Sequence, residues 1–335
     1  MNPDLLGVLA CPSCEYYPLE IVGAVLRDGE VDVGQIICQN CKAVFNILQG
    51  VPILLSSVCN MGASARVDMA RSAEQHNQAQ IDYFNNIGTS EYEITRPHDT
   101  GRLYQALLDF KAEQSIRLVR TELYGSMVLC VCCGSGMDLE YLHNRAGRVV
   151  GMDISMGAVL GARERARRFG LKYDLVVGDA ERLPFRSNGF DFGYVHDGFH
   201  HLSSPYKGLS ELWRTSRRAI MLTEPIDAFL TRISVLLGIS GTNEEAGNKV
   251  CRIELSELNN VLAHLKPASV SLSRYLMWYP HKPPGWFKFF NRKRIFGTYW
   301  YVFSLLNRII GKWGNKFSAT IWKNKKNHSD KKDEI

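Results

Sequence analysis

The sequence predicts an α/β fold, a mostly parallel sheet flanked by helices, with a small cysteine-clasped unit ahead of it. Three observations carry the prediction. Apolar runs at 127–131 and 149–152 are separated by a glycine turn, Gly134-Ser135-Gly136, and a helical stretch, and the second run ends in Asp153. A third apolar run ends in Gly178-Asp179-Ala180, and a fourth, at 190–195, follows soon after. Upstream, Cys11-Pro-Ser-Cys14 and Cys38-Gln-Asn-Cys41 form two Cys-x-x-Cys knuckles with 23 residues between them.

The run 127–131 is of the kind buried on both faces of a parallel sheet. Gly134 and Gly136 permit a tight turn that lets a ligand approach main-chain N–H groups, and a helix over 137–144 starts beneath it. Asp153 then stands where a carboxylate accepts hydrogen bonds from two ribose hydroxyls, the layout of a nucleoside-binding crevice. With the stretch from Gly178 to Val195 in the right order and spacing, residues 100–225 closely resemble the class I S-adenosylmethionine (SAM)-dependent methyltransferases. The likeness is to their type 11 branch, typified by the ubiquinone/menaquinone C-methyltransferases.

That resemblance implies a seven-stranded Rossmann-like sheet with SAM as cofactor. It assigns Gly134 and Gly136 to the cofactor turn, Asp153 to the ribose, Ile154 to the adenine, and Asp179 with the Ala180 backbone to the adenine amino group. The family's first strand carries an acid where this chain has Cys130, and a glycine where it has Cys132. Both cysteines are placed in the cofactor set, and the amino group of SAM is expected to find a partner other than Cys130, a weak donor and acceptor. His196 is expected in the pocket wall. His200 and His201, after the fourth strand, and Glu224, at the end of the fifth, are candidate catalytic bases facing the crevice, histidine being suited to proton transfer near neutral pH.

Four cysteines at the knuckles match the tetrahedral closure of structural Zn2+, and a unit of 65 residues with little core needs such a clasp. The alternative is thiols retained without metal. Residues 19–33 read as a hairpin turning at Asp28-Gly29. Residues 1–65 resemble the small zinc-ribbon domain that binds and activates tRNA and protein methyltransferases as a separate subunit. With Cys11, Cys14, Cys38 and Cys41 as ligands no position remains for water, so the metal is expected to be structural. Cys59 reads as an ordinary thiol.

Between the two units, residues 66–125 are expected to form a helical lid, with helices over 66–87 and 103–123. Tyr83, Phe84, Tyr92 and Arg96 are its pocket candidates. Four arginines within 163–168 read as a solvated helix face.

The methyltransferase domain is expected over 126–323. Helical segments at 226–238 and 254–264 lead to a sixth strand at 269–277 and a seventh at 315–323. An aromatic and basic insertion, about 280–313, separates these strands, and a tail at 324–335 is expected to be disordered. Although the 335 residues carry a net charge of +6, residues 1–65 hold two basic and six acidic side chains against fourteen and three in 274–335. The latter segment also holds 15 of the 35 aromatic residues. Two readings stand for this end: a cover over the acceptor pocket, or a peripheral membrane contact through 286–312 that serves a lipid-linked acceptor. Nucleic acid is the less favoured partner.

Nine cysteines without an evident export signal point to reduced thiols and a cytoplasmic location, with peripheral contact to the inner face of the membrane as an option. The expected activity is methyl transfer to a small, amphiphilic or lipid-linked acceptor. RNA methylation and a catalytically silent scaffold are the alternatives.

Overall fold

The computed structural model describes residues 1–55, 64–228, 232, 252–278 and 280–324. The expected helix at 226–238, most of it, Cys59 and nearly all of the tail lie outside them.

The N-terminal unit contains a short 3-10 turn and four strands, β1 (Glu20–Arg27), β2 (Glu30–Ile37), β3 (Val44–Leu48) and β4 (Val51–Leu54). Asp28 and Gly29 both take positive φ, 52° and 81°, and turn β1 into β2; that is the mirror-image turn a right-twisted hairpin favours.

The lid comprises α1 (Ser64–Ile87), α2 (Glu91–Thr95), α3 (Arg102–Ile116) and α4 (Arg120–Leu123). One expected helix over 103–123 is thus two, with a break at 117–119. The parallel sheet follows as β5 (Met127–Val131), α5 (Met137–His143), β6 (Arg148–Asp153), α6 (Met156–Phe169), β7 (Asp174–Gly178), β8 (Phe190–His196), α7 (Pro205–Thr215) and β9 (Ser216–Pro225). Next come α8 (Leu255–Leu265), β10 (Ser269–Tyr275), α9 (Lys293–Ile310) and β11 (Lys316–Trp322).

The sheet order is β1-β2-β3-β4-β7-β6-β5-β8-β9-β11-β10. Seven of these strands, β7 to β10 in that order, form the expected methyltransferase sheet, with β11 inserted antiparallel between β9 and β10. The expected seven-stranded sheet continues beyond β7 into the N-terminal unit. β4 pairs in parallel with β7, Ile53 opposite Val177 and Leu54 opposite Gly178, so one sheet of eleven strands runs through both units.

Period-two alternation divides the core between the two faces. Leu129, Val131, Val150, Met152 and Val176 join Leu209, Leu212, Leu258 and Leu262 of α7 and α8, and that cluster continues into Leu5, Leu9, Ile36 and Phe45 of the N-terminal unit. Val128, Cys130, Val149 and Val177 pack instead with Ile116, Leu139, Leu142, Val159 and Ala162 of α3, α5 and α6. A third cluster joins Leu103, Tyr104 and Leu107 of α3 to Tyr275, Met277 and Phe287.

Candidate active site

At the carboxyl ends of β5, β6, β7 and β8 the chain leaves the sheet at four successive turns, and these open one cavity of about 580 Å3. Its floor is the glycine turn. Gly134 has φ +51°, and a Cβ there would meet nothing within 4 Å, so its bare backbone faces open space. The Gly134 N–H donates to Asp153 Oδ2 at 2.9 Å and the Ser155 N–H to Oδ1 at 3.0 Å, which fixes the carboxylate at the tip of β6. Burial raises the Asp153 carboxyl, partly offset by those two N–H donors. Asp179 accepts from the Glu181 N–H at 2.8 Å and is likewise raised by burial. Ile154, Ala180, Cys132 and His196 line the same cavity.

Two members of the expected cofactor set are placed elsewhere. Gly136 is not in the wall: with φ +83°, its Cβ position lies 3.0 Å from Ala162 Cβ, and its absence of side chain lets α5 pack on α6. Cys130 is buried beneath the cavity among the helix-facing core residues, and burial pushes its thiol well above the ordinary range, so it supplies no anion. Cys132 holds φ +53°, a left-handed conformation that explains the glycine common at this position in the family it resembles.

A carboxylate that the sequence reading did not single out does reach the wall. Asp138, in the first turn of α5, accepts from His196 Nδ1 at 2.7 Å and from the Tyr194 hydroxyl at 3.2 Å, both on Oδ1. Burial would raise its carboxyl, but the charge and hydrogen bond of His196 and the charge of Lys111 outweigh it and hold it low. The other ring nitrogen, His196 Nε2, is buried with no hydrogen-bond partner among the described residues. An orphaned polar atom in a cavity wall is costly unless a ligand satisfies it.

The candidate bases separate into two kinds. His200 and His201 line the cavity. Glu224 does not: it is fully buried behind them, accepting the Gly198 and Phe199 N–H groups at 2.9 and 2.7 Å on Oε1 and His200 Nδ1 at 2.7 Å on Oε2. The expectation that Glu224 faces the crevice is therefore corrected; it orients His200. With Nδ1 donating to Glu224, the tautomer of His200 carries its lone pair on Nε2.

Beside this pair, Asp197 bridges two lysines, Lys111 Nζ at 2.7 Å on Oδ2 and Lys316 Nζ on Oδ1. Burial would raise Asp197, but the two ammonium groups hold it well below the ordinary carboxylate range. Asp197, His200 and Glu224 lie close enough together to resemble a metal site, yet two ammonium groups already balance the one carboxylate, while backbone N–H groups and His200 occupy the other. Lys111 was hard to foresee: it lies in α3, 86 residues from Asp197, with no local motif.

The lid closes the other side. Tyr83, Phe84 and Arg96 line the cavity; Tyr92 does not, its hydroxyl donating to the His281 carbonyl. Arg165 corrects the reading of 163–168 as a solvated face. It is fully buried and donates to the carbonyls of Ser135 (2.9 Å), Glu93 (2.8 Å) and Arg96 (2.6 Å) and to Glu140 (2.8 Å), tying the lid to the glycine turn. A second cavity, lined by Phe110 and Trp300 among others, adjoins the first at Met137, Asp138 and His196.

In the N-terminal unit the four knuckle thiols converge, with Cys11 and Cys41 Sγ 3.5 Å apart, Cys14 and Cys38 Sγ 3.6 Å apart, and all four within 4.8 Å. Sulfurs around a tetrahedral zinc stand about 3.8 Å apart, whereas disulfides need about 2.05 Å. The cluster is compatible with one metal ion held by four thiolates.

Comparison with known proteins agrees with this geometry. Residues 129–219 match the family described as methyltransferase domain. Demethylmenaquinone methyltransferase of Renibacterium salmoninarum is 33% identical over 94 residues, 28% of this chain and 38% of that protein. The Beutenbergia cavernae protein of the same name is 37% identical over 93 residues, 28% of this chain and 37% of its own length. The chain thus spans less than two fifths of these relatives. Among solved structures, magnesium protoporphyrin IX methyltransferase from Synechocystis PCC 6803, with bound SAH, aligns with TM-score 0.48 and 14% identity over 74% of this chain and all of that one. From β5 to the start of β9, the chain matches the pattern of a methyltransferase domain.

Proposed function

We propose that this protein transfers a methyl group from SAM to a small amphiphilic acceptor, with His200 taking the acceptor's proton. The observation that carries the reading is the single cavity lined by Gly134, Asp153, Asp179 and His196, whose buried Nε2 has no hydrogen-bond partner among the described residues. Bound there, SAM supplies an electrophilic methyl on a sulfonium. Asp153 would hold its ribose, Asp179 its adenine amino group, and Asp138 its ammonium group, replacing the first-strand acid that Cys130 lacks.

Toward the lid and β10, Met277, Trp278, Lys111 and Lys316 line the same cavity. They favour an acceptor with an apolar body and an electron-rich polar head. His200 would take a proton there through Nε2, and Glu224 would stabilise the charge that His200 gains. The names of the demethylmenaquinone methyltransferase relatives agree with an amphiphilic acceptor. Cys11, Cys14, Cys38 and Cys41 would hold a structural Zn2+ that supports the sheet and takes no part in the chemistry.

Calorimetric titration of zinc-replete protein with SAM tests the reading. Micromolar binding, roughly −8 kcal/mol, lost in Asp153→Ala, is expected. A wild type that binds no SAM would overturn it.

A further inference from the structure

The helix α9 carries 18 residues of which none is buried. One side, Phe296, Tyr299, Trp300 and Phe303, packs against the α3 cluster, Phe110 included. The opposite side is also apolar and is largely uncovered among the described residues: Tyr301 is 69% exposed, Ile309 59%, Val302 46%, Leu306 44% and Leu305 42%. These positions recur at helical spacing and form one stripe. Beyond the ends of α9 the stripe is extended by Trp313 and by an aromatic group in which Trp286 and Phe289 are more than half exposed.

The charges of the segment that carries the stripe are of one sign. Residues 274–323 hold ten lysines and arginines and no acidic residue. Lys293, Arg294, Arg308 and Lys312 are exposed on or beside α9. Two basic heads lie over exposed rings, Lys312 4.3 Å from the Trp313 centroid and Arg292 5.6 Å from that of Phe289.

We infer that this face docks on an anionic lipid bilayer, with α9 lying along the interface. Aliphatic side chains between aromatic ends and basic heads are the composition of an interfacial helix. No helix among the described residues is long and apolar enough to cross a membrane, so α9 lies on the bilayer and does not span it. A second copy would bring two uniformly basic surfaces together, and RNA would leave the stripe of Val302, Leu305, Leu306 and Ile309 without an apolar neighbour.

The patch is continuous with the site. Trp278 is at once half-exposed, stacked with Trp286 at 6.5 Å, and part of the main cavity's wall, while Trp300 of α9 lines the adjoining cavity. Docking therefore sets the cavity mouth at the lipid surface. The docking itself stands apart from the methyltransferase reading; delivery of an amphiphilic acceptor from the bilayer rests on it.

Flotation of the full chain with vesicles, without SAM, tests the inference. Phosphatidylcholine vesicles with about 30% phosphatidylglycerol, a proportion chosen to give a clear anionic surface potential, should carry the wild type upward. Pure phosphatidylcholine should carry at least about fivefold less, as expected where basic heads supply part of the binding. Leu305→Ser with Ile309→Ser should lower recovery about tenfold or more, since both apolar contacts are lost. Circular dichroism and SAM calorimetry on this surface variant should match wild type, which separates failure of docking from failure of the cofactor reading. Absence of wild-type flotation, equal recovery of variant and wild type, or equal recovery on neutral vesicles overturns the inference. So does a dimer seen by sedimentation that the double variant dissolves, or RNA binding with no vesicle binding.

Discussion

The two ends of the cavity are built differently. The proposed cofactor end comes from consecutive turns at the tips of β5, β6 and β7, where Asp153 is the last residue of its strand and Gly134 and Asp179 follow theirs within three residues. The proposed acceptor end is assembled from distant parts of the chain, Lys111 of α3, Asp197 and His200 after β8, Met277 and Trp278 after β10 and Lys316 of β11. A motif records the first arrangement because backbone geometry imposes it. Nothing local records the second, because its members meet only when the sheet and lid are complete.

Arg165→Met is the most severe way to break this division, since the residue joins the glycine turn to the lid. Three carbonyls and Glu140 would lose a buried cationic donor, at a cost of about 3–5 kcal/mol. Chemical denaturation should show the loss, and Arg165→Lys should not restore it, because one ammonium cannot fork to four acceptors.

The separation of the ends is sharpened by His200→Asn. Its kcat should fall about 10²–10⁴-fold while SAM affinity stays within about twofold of wild type, because the side chain lies outside the cofactor turn. Glu224→Gln should also reduce kcat and shift its pH profile; a profile unchanged in both variants would remove the base from this pair.

Acidification gives a smaller effect at the cofactor end. Asp153 and Asp179 are raised by burial, and protonation would turn one accepting oxygen of each into a donor and weaken the other as an acceptor. SAM affinity should therefore decline as pH falls, beginning above the ordinary carboxylate range of about 4. A calorimetric pH series in which affinity is flat down to that range would contradict the assignment. The smallest change is expected from Cys132→Gly, which relieves a left-handed side chain at φ +53° and should raise stability by about 1 kcal/mol.

What could be read from the sequence follows the same division. Strand periodicity, the Asp28-Gly29 turn and the cysteine spacing are local and appear in the structure where expected. Arg165 was unreadable because four arginines in a row of six look alike until the lid selects the one that is covered. Glu224 was misplaced because strand alternation says which face a residue takes but not that two N–H groups after β8 fold back onto it. Asp138 has no motif; the signal that could have found it was the missing acid at Cys130, which under the proposed function calls for a carboxylate from another element.

The parallel pairing of β4 with β7 carries a consequence for how the protein can be cut. An edge strand presents unpaired backbone groups that recruit other chains. Here the N-terminal unit caps that edge, with Leu54 seated beside Gly178, one residue before Asp179. Trimming the chain at its apparent domain boundary would uncover the flank of β7 and leave a truncated enzyme prone to aggregate, however intact its catalytic motifs. The N-terminal unit would thus act as a built-in solubility partner, and disrupting its four-cysteine cluster should be felt first as precipitation.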